Sequence, residues 1–235
     1  MIPALHAEWT RLRTEPAVHL LLPSIVAVTV LVSLLAVAAC PRNECGLDPA
    51  ALTLAGVRLG QALVVLLAVS VLGGSLRTTF TAVPRRLVVL GVKALVVSAS
   101  TLVTGGLAVL GCLAAGRAIL PVGGPGLRAA AGSVLYLILI GLLALGVVAA
   151  LRDPATSAAV VLVLVLLYAP PLIATTVTDP DTQRALRRFA PMPSGLSVQA
   201  TTGPPITPWA GLGVLAAWSV ASLVIGAVVL HRRDA

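Results

Sequence analysis

Six long apolar stretches dominate a chain of only 235 residues and leave no room for a sizeable soluble domain. A helical residue rises about 1.5 Å and the hydrocarbon core of a bilayer is about 30 Å thick, so a spanning helix needs about 20 mostly apolar residues. The stretches therefore predict an all-α membrane protein with a single domain over residues 1–235. The predicted spans are 17–39, 56–76, 94–115, 129–151, 158–177 and 209–230.

Composition agrees with helices that face lipid and each other. Apolar residues make up 58% of the chain, charged residues 10% and aromatic residues 3%, and the mean hydropathy is +1.05. Soluble domains carry about 25% charged residues. The net charge of +8 would point to nucleic acid in a soluble chain. Here the basic residues lie beside apolar stretches, so we interpret them as topology signals and contacts to anionic headgroups, and expect no nucleic-acid partner.

Three further segments are predicted to be helical outside the spans. Residues 3–15 place Leu5, Trp9 and Leu12 on one face, which is typical of a helix lying in the membrane interface. Residues 87–93 are predicted to form a helix at the membrane surface before the third span, and residues 181–189 a short amphipathic helix. Within the fifth span, consecutive prolines at 170–171 predict a kink or a break.

The arginines and cysteines give further expectations about the ends of the spans. An even number of spans puts both termini on one side, and the excess of Arg around that side predicts cytoplasmic termini. Cys40 and Cys45 flank the first external loop. They form a disulfide there or remain free thiols at the end of a span, and both alternatives stay open.

Several classes of protein are disfavoured by missing motifs. The chain has no Gly-rich phosphate loop ending in Gly-Lys-Ser or Gly-Lys-Thr, so we expect no ATP hydrolysis by the chain itself. It has no Gly-x-Ser-x-Gly or His-Glu-x-x-His motif, and no constellation that predicts a metal site or catalysis. No Asp or Glu lies deep in a predicted span, which argues against a proton- or ion-coupled carrier.

Three stretches carry a resemblance to a known family. Residues 7–14 resemble the leader of ABC-2 type transporter permeases, residues 77–86 resemble the cytoplasmic segment after the second span of that family, and residues 93–96 resemble the start of its third span. The resemblance extends over nearly the whole chain. It implies two permease subunits, each with an interfacial helix, six spans and a short coupling helix between spans 2 and 3, on which a separate ATPase subunit docks.

The resemblance also implies which residues couple the chain to its ATPase. They are Arg77, Thr78, Thr79, Thr81, Pro84, Arg85 and Arg86. Arg85 and Arg86 would meet acidic groups of the ATPase or serve only to hold the loop inside the cell. The acidic segment that commonly follows the second span in the family is missing where Leu76 runs into Arg77, which predicts weaker engagement of the ATPase. No cofactor is expected in this chain, because the partner subunit would bind the ATP.

Small and hydroxylated residues in the predicted third span are candidates for a translocation path or a helix interface. They are Ser98, Thr101, Thr104 and Gly105. Gly146 and Ala150, and Ser222 and Gly226, have the small-xxx-small spacing that lets helices approach closely. The predicted function is therefore a non-enzymatic permease subunit in the bacterial cell membrane that exports a hydrophobic or amphipathic substrate. The alternatives are a membrane scaffold or immunity protein that transports nothing, and a secondary carrier.

Overall fold

The computed structural model describes residues 10, 14–40, 48–73, 86–119, 126–151, 153–167, 179–201 and 207–232. These residues are helical apart from short connections, and no strand occurs among them. The helices are α1 (Pro16–Ala39), α2 (Pro49–Thr53), α3 (Val57–Gly73), α4 (Arg86–Ile119), α5 (Leu127–Leu151), α6 (Pro154–Leu167), α7 (Pro180–Phe189), α8 (Pro191–Leu196) and α9 (Pro208–Arg232), with a 3-10 turn at Ser197–Gln199 before α9.

Four of these helices, α1, α4, α5 and α9, are long and apolar enough to cross a membrane. The prediction of an all-α membrane protein is confirmed at this level. The predicted second and fifth spans coincide with shorter apolar helices, since α3 has 17 residues and α6 has 14. At about 1.5 Å per residue, α6 is about 21 Å long, which is less than the hydrocarbon thickness. The prolines predicted to break the fifth span, at 170–171, lie outside the described residues.

Residues 87–93, which we predicted as a surface helix before a span from residue 94, are helical. The predicted boundary does not interrupt α4, a single helix of 34 residues that runs through both segments. No proline falls within it, and Gly91 is the only glycine near the predicted boundary. Lys93, the one strongly polar residue at that boundary, is buried and hydrogen-bonded within the bundle, so the helix continues past it without a break.

Helix α5 is the centre of the bundle. Tyr136, Leu137, Ile140 and Leu143 on this helix are all fully buried or nearly so. Helices α5 and α9 run parallel, and the Ser219 hydroxyl donates to the carbonyl oxygen of Leu139 at 2.8 Å, near the middle of both helices.

Close backbone approach lets α5 and α9 pack along one seam. A Cβ on Gly146 would lie 2.4 Å from the carbonyl carbon of Ser222, and a Cβ on Gly226 would lie 2.7 Å from the carbonyl oxygen of Gly146. Both distances are far inside van der Waals contact. The small-xxx-small residues of these two helices therefore pack against each other within one chain.

Polar contacts define the two ends of the bundle. At the first, the Asp48 carboxylate accepts from the Thr201 hydroxyl at 2.7 Å, and Arg128 donates to the carbonyl oxygen of Ala200 at 2.8 Å. We call this the Asp48 end. At the opposite end, which we call the Lys93 end, Lys93 contacts the last turn of α3. The connections after α1, before α5 and before α9 thus share the Asp48 end.

The turn from α5 into α6 lies at the Lys93 end and is capped by Asp153. Its carboxylate accepts from the backbone N–H of Thr156 at 2.7 Å, which satisfies one of the free donors at the start of α6. Hydrogen bonding from the Thr156 side chain and backbone lowers the pKa of this exposed carboxyl. Pro154, the first residue of the helix, lacks the N–H that would be left without a partner there.

Candidate functional site

The amphipathic helix α7 lies halfway between the two ends of the bundle. The indole N–H of Trp218 on α9 donates to the carbonyl oxygen of Phe189, the last residue of α7, at 2.9 Å. Trp218 is about ten residues from Pro208, hence about 15 Å from the Asp48 end. Leu164 on α6 lines the same groove as α7 and is about ten residues, or about 15 Å, from the Lys93 end.

The charges of α7 are consequently at mid-height in an apolar bundle. Asp181 and Arg184 form an ion pair, and their side chains are 81% and 77% exposed. Arg188 lies over the ring of Phe189, with its guanidinium carbon 5.8 Å from the ring centroid. Within the described residues, the structure records no ion pair for Arg188. Ionisable side chains at this depth are costly in lipid and are usually functional.

Helix α7 owes its start and end to local sequence. Asp179 caps it by accepting from the backbone N–H of Thr182 at 2.8 Å, and Pro180 occupies the first helical position. Pro191 follows directly after Ala190, whose extended backbone ends the helix. The predicted amphipathic helix at 181–189 is present with one added residue at its start.

From Phe189 the chain continues to the Asp48 end through a buried segment that the sequence pattern did not predict. Residues 190–199, which comprise Ala190, α8 and the following 3-10 turn, are buried except for Pro193. A Cβ on Gly211 of α9 would lie 2.1 Å from the carbonyl oxygen of Ser194 in α8. The amide of Gln199 donates to the Ser133 hydroxyl on α5 at 2.9 Å. Short helices inside a membrane protein are tolerated where protein covers them, as here.

A second buried polar contact lies deeper in the core. The Tyr136 hydroxyl on α5 donates to the side-chain carbonyl of Gln61 on α3, and both residues are 0% exposed. The Gln61 amide nitrogen and the Thr101 hydroxyl, both buried, have no hydrogen-bond partner among the described residues. A polar residue in an apolar span was the available sequence signal for Gln61.

Lys93 ties together the two helices that flank residues 74–85. It is 1% exposed, and its ammonium group donates to the carbonyl oxygen of Val71 at 3.0 Å. Val71 is in the last turn of α3, where carbonyl oxygens lack an intrahelical donor and a cation is favoured by the helix dipole. The lysine therefore caps α3 from a side chain of α4.

The predicted site residues fall into three groups. Thr101 and Gly105 of α4 face α5, since a Cβ on Gly105 would lie 3.1 Å from Leu137 and one on Gly141 would lie 3.7 Å from the Thr101 hydroxyl oxygen. Thr104 is buried and donates to the carbonyl oxygen of Ser100 at 2.8 Å, whereas Ser98 is half-buried. Thr101 and Gly105 therefore lie in the interface between α4 and α5.

The second group is the ATPase-coupling set. Arg77, Thr78, Thr79, Thr81, Pro84 and Arg85 lie outside the described residues, and Arg86 is the first residue of α4.

The third group is the cysteines. Cys40 is disulfide-bonded, Cys45 lies outside the described residues, and Cys112 is a buried free thiol. Of the interfacial helix predicted at 3–15, only Thr10, Thr14 and Glu15 are described; the two threonines are helical, and Glu15 is the N-cap of α1.

The bundle defines a class: a multi-pass α-helical membrane protein. Within the described part of the chain, no three His, Cys, Asp or Glu residues lie close enough together to hold a metal ion. Neither family models, curated proteins nor solved structures give a match to the chain. The resemblance to ABC-2 type permeases therefore stays a prediction from the sequence.

Proposed function

We propose that the chain is a transmembrane permease subunit of an ATP-driven exporter of the ABC-2 type, moving a hydrophobic or amphipathic substrate out of the cell. A separate ATPase subunit binds and hydrolyses ATP, and a second permease subunit completes the path. On this proposal the chain has six spans in the bacterial cell membrane, with both termini in the cytoplasm.

The observation that carries the proposal is the depth of α7. Its ionisable residues lie about 15 Å from either end of a bundle whose four long helices are predominantly apolar. Interrupted helices and charges at bilayer depth occur in transport proteins, where they line a path that the substrate enters. A protein that only anchors or binds at the membrane has no need for such an arrangement.

Lys93 supports coupling to a partner at one end of the bundle. Residues 74–85, which contain most of the predicted docking segment, connect α3 to α4. Because Lys93 of α4 holds the last turn of α3, a displacement of that connection would be transmitted to both helices together. A short segment that receives force from a soluble partner requires this kind of rigid support.

The proposal is tested by purifying the full-length chain from its native membranes in mild detergent and assaying the preparation for ATP hydrolysis. We expect an ATPase subunit to copurify and its activity to need the chain. Charge reversal of both Arg85 and Arg86 should abolish the stimulated hydrolysis. Arg232→Glu is the matched control, because Arg232 is an exposed arginine at the same end of the bundle, and it should leave hydrolysis intact.

The same preparation distinguishes the rival functions. If the chain moves a substrate in vesicles without any nucleotide-hydrolysing partner, and a proton uncoupler stops that movement, the chain is a secondary carrier. If it binds a target protein, and no ATPase copurifies, it is a scaffold or immunity protein. Either result refutes the permease proposal.

A further inference from the structure

Two apolar grooves meet at the contact between α7 and α9. The first has a volume of about 280 Å³ and is lined by Leu164, Leu186, Phe189 and Trp218, among others. The second has a volume of about 490 Å³ and runs along α9, where Phe189 and Trp218 form its wall together with Val214, Ala217 and Ala221. Their linings are almost wholly apolar, as alkyl chains require.

Two arginines of α7 lie beside these grooves. Arg188 stacks on Phe189, which belongs to both grooves, and Arg184 is one turn earlier on the same helix. Asp181 partly offsets Arg184, whereas Arg188 forms no ion pair with a described residue. An arginine about 15 Å from either end of the bundle is costly to place in lipid, so an anionic partner at that level would stabilise it.

We propose that this surface binds an anionic phospholipid, with its phosphate at Arg184 and Arg188 and its two acyl chains in the two grooves. Guanidinium groups bind phosphate through charge-assisted hydrogen bonds. Because the two grooves share a wall, they fit the two acyl chains of one lipid, which start from the same headgroup. Lipid binding does not depend on an ATPase, so this proposal can be tested separately from the proposed function, although both use the depth of α7. If the proposed function also holds, this lipid site implies that the exported substrate is an anionic amphiphile with two acyl chains.

Trp218 is a natural reporter for the site, because it lies in both grooves and is 43% exposed. The full-length chain with Trp9→Phe and Trp209→Phe keeps it as the only tryptophan. This variant is reconstituted into phosphatidylcholine vesicles containing brominated phosphatidylglycerol, and in parallel into vesicles with brominated phosphatidylcholine. Bromine quenches tryptophan fluorescence on contact, so the ratio of quenching gives the preference for the anionic lipid.

We expect about a tenfold preference for phosphatidylglycerol, since each arginine contributes a charge-assisted contact. Arg184→Gln with Arg188→Gln should reduce the preference to about one. Arg184→Lys with Arg188→Lys should retain most of it, which also shows that a changed α7 folds. Arg232→Gln, far from the grooves, should leave it unchanged.

Four results would overturn the proposal. Equal quenching by the two lipids in the unchanged protein would make the grooves an ordinary lipid-facing surface. Protection of Trp218 from both lipids would show that protein, such as a second copy of the chain, covers the grooves. A preference for phosphatidylglycerol that survives in the double Gln variant would place the anionic site elsewhere. Loss of the preference when free inorganic phosphate is added would show that the arginines recognise the phosphate alone.

Discussion

The seam between α5 and α9 gives the sharpest test of the packing. We predict that Gly146→Ala destabilises the protein, because the new methyl group would lie 2.4 Å from the backbone of Ser222 and 2.5 Å from the backbone nitrogen of Leu223. Backbone atoms cannot rotate away, so the two helices must separate. Overpacking of this kind costs about 1–3 kcal/mol.

The helix propensity of alanine acts in the opposite direction and must be measured in the same protein. Gly213→Ala on α9 is the matched control, because a Cβ at Gly213 meets nothing within 4 Å. In water, the replacement of a helix-interior Gly by Ala is worth about 1 kcal/mol. This gain is common to both variants and cancels, so the difference in unfolding free energy between them should be about 1–3 kcal/mol, since the clash is present in one and absent in the other.

Reversible unfolding in mixed micelles by a denaturing detergent, followed by circular dichroism, measures that difference. Gly226→Ala, which meets the carbonyl oxygen of Gly146 at 2.7 Å, should behave as Gly146→Ala does. The packing described here is refuted if Gly146→Ala is as harmless as Gly213→Ala.

Three further predictions concern hydrogen bonds. Tyr136→Phe should lower the unfolding free energy by about 1–3 kcal/mol, measured in the same micelles, because it leaves the buried carbonyl of Gln61 without its donor; no loss would exclude this contact. Asp48→Ala should cost about 1 kcal/mol and free the segment before α9 to exchange its amide hydrogens faster, since Asp48 caps α2 and binds Thr201. Because the pKa of Asp153 is lowered in the folded protein, the stabilisation of the fold by this carboxylate is present above the ordinary carboxyl pKa and is lost as the pH falls through the lowered value. Asp153→Asn should therefore weaken the dependence of the unfolding free energy on acid pH. An unchanged pH profile would show that the cap contributes nothing.

The long spans were predictable because their apolar runs exceed 20 residues and have polar or proline boundaries. The predicted spans 17–39, 129–151 and 209–230 differ from α1, α5 and α9 by at most two residues at either end. Helix α7 was also predictable, since its charged and apolar residues separate onto two faces of a helix.

What the sequence could not predict depends on contacts between distant residues. The segment 190–199 has the Pro, Ser and Gly content of a surface loop, yet it is buried because Gly211 and Gly132 leave room for its backbone and for Val198. Its burial places α7 at mid-height, which no local pattern encodes. The partner of Lys93 likewise becomes apparent only once α3 and α4 are side by side.

The depth of α7 is the claim on which both proposals depend, and it can be measured directly. A spin label at Ala185→Cys, with the native cysteines replaced, reports depth through its relative accessibility to oxygen and to a water-soluble nickel complex in vesicles. Labels at Ala217→Cys and Ala210→Cys on α9 give references for mid-depth and for the Asp48 end, since both residues are exposed. We predict that residue 185 matches residue 217. A depth that matches residue 210 would place α7 in the interface and contradict the account.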